Sequence, residues 1–98
     1  MGVIFEIIDK SGRRVHLSEE RWTHINQEHP EVAPYLEQLK ETLKNPKKIS
    51  TNDCDETARY HYTYLKERKS AARYLLVIVK YLNGKGFIIT AYFVRSMP

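Results

Sequence analysis

Histidine, lysine, arginine, tyrosine and threonine recur in this chain at spacings that put several of them on shared surfaces. Together they can cleave RNA without a metal. A base takes the 2′-hydroxyl proton, cations stabilise the crowded phosphate, and an acid protonates the leaving 5′-oxygen. His24 and His29 fall in a segment of helical character. A turn of about 100° per residue aligns Trp22, Ile25 and His29 on one stripe, with His24 off it and next to Glu28. His29 therefore reads as an acid or base aimed at a sheet, or as a helix-end residue bonding terminal carbonyls. His24 reads as an acid or base, or as a solvated surface histidine.

The second half of the chain carries the cations and hydroxyls. Thr57 to Lys66 alternates, with Tyr60, Tyr62 and Tyr64 on one face and Arg59, His61 and Thr63 on the other. Tyrosines in such a stripe give stacking platforms for unpaired bases, and the same stripe fits the half-buried face of an ordinary sheet. Taking Asn83-Gly84-Lys85-Gly86 as a hairpin turn sets Leu82 against Phe87 and Lys80 against Ile89. That register places Lys80 and Arg95 on one face, with Thr90 and Tyr92 on the other beside Val77 and Val79.

Other chemistries find less support. His24 and His29 are five apart, whereas zinc on a helix uses i, i+4. Gly84 and Gly86 lie in the hairpin turn with no helix after them, so no phosphate loop forms. Cys54 stands among Asp53, Asp55 and Glu56, a negative field that works against a thiolate nucleophile. A single cysteine also forbids an internal disulfide and fits a reducing cytoplasm.

The elements that position these groups must fit into 98 residues, which is one domain spanning residues 1–98. Hydrophobic residues make up 42% and charged residues 29%, which excludes a disordered chain. No apolar run approaches the roughly 18 residues of a membrane helix. Met1 to Asp9 lacks the basic start of a signal peptide. The net charge of +4 is a mild bias toward anionic partners. Val3–Asp9 and Arg13–Leu17 read as a hairpin around Lys10-Ser11-Gly12. Ser18 caps a helix over Glu19–Glu28, and Pro30 ends it. Val32, Leu36, Leu39 and Leu43 mark a second helix, which Asn45-Pro46 stops. Lys48–Thr51, Thr57–Lys66, Tyr74–Leu82 and Phe87–Val94 read as strands, giving an α+β domain with an antiparallel sheet.

Leu17-Ser18-Glu19-Glu20-Arg21-Trp22-Thr23-His24-Ile25, continuing to His29-Pro30-Glu31, with Leu43 to Pro46, Tyr74 to Lys80, Gly86 to Tyr92 and Arg95, resembles a known group. It is similar to the phage-associated branches of the Barnase–EndoU–colicin E5/D–RelE-like (BECR) nuclease superfamily. The resemblance implies two N-terminal helices packed on a four- to five-stranded antiparallel sheet. It also implies a metal-independent endoribonuclease acting through the 2′-hydroxyl, without a cofactor, in a toxin or conflict-system effector. RNA is the implied substrate, with an antitoxin or immunity protein as partner, no membrane, and a cytoplasmic setting. The candidates that fit are His24, His29, Lys80, Thr90 and Arg95 for catalysis, and Arg59, Tyr62 and Tyr92 for RNA binding. A non-catalytic module of the same fold, binding RNA or protein, is the alternative.

Overall fold

The Asp9 carboxylate builds the first turn by accepting from the Ser11 N–H, the Ser11 hydroxyl and the Arg13 N–H at 2.9, 2.6 and 3.0 Å. This joins β1 (Val3–Ile8) to β2 (Arg14–Ser18) as an antiparallel hairpin. Residues 2–98 are described by a computed structural model. β2 runs directly into α1 (Glu19–Glu28), where the Ser18 hydroxyl accepts from the Arg21 N–H at 3.1 Å as the expected cap.

The expected second helix is divided. Pro30–Tyr35 forms a 3-10 helix containing Pro34, and α2 follows as Leu36–Lys44. Proline has no N–H to give to an α-helical ladder, so regular α-geometry begins only beyond it. β3 (Lys48–Asn52), β4 (Asp55–Tyr64), β5 (Tyr74–Leu82) and β6 (Lys85–Val94) complete the chain. Among the described residues, no helix is long and apolar enough to cross a membrane.

The strand order is β1-β2-β6-β5-β4-β3 in one six-stranded sheet. Three expectations need correction here. The sheet has six strands rather than four or five, because the N-terminal hairpin joins it through β2. The sheet is mixed rather than antiparallel, because β2 pairs parallel with β6 through Arg14–Lys85, Val15–Gly86 and His16–Phe87. The helices do not precede the sheet. They are inserted between β2 and β3, carrying the chain over one face to the far edge, and the last strand returns to lie beside β2. The leucine stripe packs as its spacing requires. Val32, Leu39 and Leu43 are fully buried with Ile25, Val15, Leu17, Leu75, Val77 and Val79.

The β5–β6 turn is shorter than the four residues expected. Asn83 and Gly84 both adopt positive φ, 56° and 78°, the two-residue turn whose twist matches a hairpin. Leu82 therefore pairs with Lys85 and Lys80 with Phe87, not with Phe87 and Ile89. Beyond Val79–Ile88 the register shifts, Ile78 faces Thr90, and Ile89 is the extra residue of a bulge. Gly86 is required by close approach, since a Cβ there would lie 2.8 to 2.9 Å from Tyr81, Val15 and Val79.

Candidate active site and nucleic-acid interface

Helices cover only one side of the sheet, and the bulge decides what the other side presents. Directly paired residues share a face, so Lys80 stands with Ala58 and Phe87, Ile78 with Tyr60 and Thr90, and Leu76 with Tyr62 and Tyr92. These three rows are spaced by two residues each, about 7 Å. Without the extra residue at Ile89, Thr90 and Tyr92 would face the helices with Val77 and Val79, as the uninterrupted register predicts. The bulge turns both onto the Lys80 face.

His29 reaches this face from the end of α1. Its ring stacks on Tyr92 with centroids 5.0 Å apart and planes 24° from parallel, and its Nδ1 lies 3.8 Å from the Glu31 carboxylate. Burial, then the neighbouring Tyr60 and Tyr62, pushes the Tyr92 hydroxyl above its ordinary pKa, so it holds its proton and the ring stays neutral beside His29. Lys80 Nζ lies 3.4 Å from Asp55 Oδ2. The other Asp55 oxygen accepts from the Thr57 hydroxyl and N–H at 2.5 and 2.9 Å. The Thr57 hydroxyl first, then its N–H, holds Asp55 below the ordinary carboxylate value, which keeps it anionic beside the ammonium.

The remaining candidates separate. Tyr62 is on the right face but only 6% exposed, and Leu76 beside it 3%, so Tyr62 offers little surface to a base. On that row Lys48, opposite Tyr62, donates to the Pro98 carbonyl at 2.6 Å. Arg59 lies on the helix side of β4, paired with Val79, and its Nη1 donates to the Glu56 and Ala58 carbonyls at 2.7 and 2.9 Å. His24 is exposed on α1, 3.4 Å from the Glu28 carboxylate.

Arg95 does not accompany Lys80. β6 ends at Val94, opposite Tyr74, which is six residues, or about 20 Å of strand, from Lys80. The turn shifts the register by two residues and keeps the faces, so it is the one-residue bulge that undoes the expected Lys80–Arg95 face.

Sequence reasoning missed a buried cluster and three surface residues. Tyr81 donates to Asp9 Oδ2, lies 3.3 Å from His61 Nε2, and carries the Arg13 guanidinium 3.6 Å above its ring. Asp9, Tyr81 and His61 come from three strands or their turns, and no spacing within one segment signals them. Asp55, Phe87 and His16 were missed because their relation to Lys80 depends on strand partners. Among the described residues, no three His, Cys, Asp or Glu side chains are grouped to hold a metal.

No curated protein and no solved structure matches this chain. A family match does exist, and it runs from β1 to beyond β6, taking in the whole sheet, both helices and every candidate above. Matching over residues 4–97, the chain belongs to the phage-Barnase-EndoU-ColicinE5/D-RelE like nuclease2 family.

Proposed function

We propose that this domain is an endoribonuclease that cleaves unpaired RNA by attack of the 2′-hydroxyl on the adjacent phosphate, with no metal in the reaction. The observation that carries the reading is the bulge at Ile89, which gathers Lys80, Thr90 and Tyr92 on the face that His29 also reaches. A phosphate over Thr90 would have the Lys80 ammonium on one side, one row away, and the His29–Tyr92 pair on the other. Lys80 supplies positive charge as the phosphorane forms, and the Thr90 hydroxyl orients an oxygen. His29 moves a proton between the 2′-hydroxyl or the leaving oxygen and solvent, while the Tyr92 ring fixes its plane. His24 and Arg59 lie outside that arrangement, and Arg95 is left to a flanking phosphate. A toxin or conflict-system effector, held in check by an antitoxin or immunity protein, is a setting such an activity fits.

Lys80 paired with Asp55 favours a second reading, a binding module whose lysine is occupied at rest. The two part on one experiment. The purified protein incubated with single-stranded RNA in EDTA should yield fragments ending in 2′,3′-cyclic phosphate. RNA with a single 2′-deoxy at the cut position should bind and survive. Retarded but intact RNA after long incubation supports the binder instead.

A further inference from the structure

Phe87 is an aromatic side chain outside the core. It pairs with Lys80 across β5–β6 and with His16 across β6–β2, on the face away from the helices. It is half-buried and takes no part in the hydrophobic cluster beneath the sheet. The His16 ring lies beside it, with centroids 6.1 Å apart and planes inclined by 34°. Two residues further along the strands, on the same face, Lys85 pairs with Arg14. The ring thus has Lys80, Lys85 and Arg14 around it. Two of these cations are paired at rest, Lys80 with Asp55 and Arg14 with Glu6, at 3.4 and 3.3 Å, so a bound phosphate competes with those carboxylates.

We infer that Phe87 and His16 form a nucleobase subsite that takes one unpaired base next to the phosphate contacted by Lys80. A flat aromatic surface bordered by cations matches a single-stranded nucleotide, whose base stacks while its flanking phosphates meet the charges. A duplex would keep its base faces inside the stack and away from the ring. An acidic peptide would use the cations but gain nothing from Phe87. The parallel β2–β6 pairing creates the site, because His16 and Arg14 reach Phe87 and Lys85 only through it. The inference rests on the nuclease reading for its phosphate register, and it adds where a base is held and that the RNA is unpaired there.

The test uses a short single-stranded RNA, 2′-O-methylated throughout so that it cannot be cut, with 2-aminopurine at one position. Wild-type protein should quench the probe on binding. Phe87→Leu, which keeps an apolar side chain, should weaken binding by roughly ten-fold or more and abolish the quenching, and Phe87→Trp should restore both. An otherwise identical strand, abasic at the probe position, should bind wild type and Phe87→Leu alike. Equal binding of the base-bearing strand by wild type and Phe87→Leu overturns the subsite, and the nuclease reading survives if unmodified RNA is still cut. Equal loss with base-bearing and abasic strands overturns it too, marking a general anion surface. Quenching that depends on Phe87 in a protein that never cuts RNA upholds the subsite and overturns the nuclease reading.

Discussion

Tyr81 on β5 and Asp9 in the β1–β2 turn are 72 residues apart in sequence and joined by a buried hydrogen bond, the phenol donating to the carboxylate. The bond spans the sheet from β5, past β6 and β2, to the edge hairpin. Gly86 makes room for it, since the Tyr81 ring passes where a Cβ would sit. His61 and Arg13 close the cluster from β4 and the turn. A buried carboxylate is tolerated only when its oxygens are satisfied, and here Ser11, Arg13 and Tyr81 satisfy both.

Replacing Tyr81 by phenylalanine should therefore destabilise the domain by about 1.5–3 kcal/mol, the range for a hydrogen bond to a charged group. The ring and its packing stay, so the loss belongs to the hydroxyl. Urea unfolding measures it, and a change under about 0.5 kcal/mol, the size of an ordinary surface substitution, would mean that Asp9 does not need this donor.

The same cluster sets the pH limits of folding. Burial pushes the Asp9 carboxyl up, but its bonds to Ser11, Tyr81 and Arg13 outweigh that and bring it below its ordinary 3.8. Burial drives His61 below 6.5 and raises Tyr81 above 10. For His61 the unfolded chain takes up a proton first, so stability falls as pH drops below 6.5 toward the lower folded value. Asp9 repeats this below 3.8. Tyr81 acts in the opposite direction, with stability intact below pH 10 and lost as pH rises through its raised folded value. Thermal melts across pH should show all three limbs. The alkaline limb should shrink in Tyr81→Phe, and the limb below 6.5 should flatten in His61→Gln.

Periodicity and caps were legible in the sequence, because both are local. The Ser18 cap, the Val32–Leu43 stripe and the alternation of the tyrosine strand all stand as read. Pro34 dividing the second helix follows from the same local rules. Strand partners were not legible. Nothing within Arg14–Ser18 says that it will lie parallel to a strand about 70 residues later, so Phe87, His16 and Tyr81 had no recognisable role. The bulge was hidden for a related reason, since Ile88 and Ile89 are the same residue type and either could face the core. One residue of register then moved Thr90 and Tyr92 to the other face.

Leu39 tests the layer arrangement. It is fully buried between α2 and the sheet, so Leu39→Ala should leave a cavity and cost about 2–5 kcal/mol. Chemical denaturation measures the loss, and a value below about 1 kcal/mol is incompatible with a helix stripe packed on β4 and β5.

Lys80 and Asp55 test the phosphate site. If the ammonium acts on charge that builds in the transition state, Lys80→Ala should lower kcat by about 10²–10³ while weakening binding much less. Asp55 competes with the substrate for that ammonium. Asp55→Asn should therefore tighten RNA binding at low salt and steepen its salt dependence by about one phosphate contact. A Lys80→Ala enzyme with unchanged kcat would remove the lysine from the reaction.

Which histidine moves the proton follows from where α1 ends. His24 faces solvent beside Glu28, whereas the His29 ring lies on Tyr92, on the face with Thr90 and Lys80. His29→Asn should lower kcat by about 10²–10⁴ and remove one limb of the pH–rate profile, while His24→Asn keeps both rate and profile. Tyr92 separates chemistry from positioning. Tyr92→Phe retains the stacked ring and should keep most of the activity, whereas Tyr92→Leu frees the imidazole to rotate and should lower kcat with little change in KM. If His29→Asn cuts RNA at the wild-type rate with both limbs intact, His29 is a structural helix-end residue. Proton transfer would then fall to the hydroxyls and lysine of the strands.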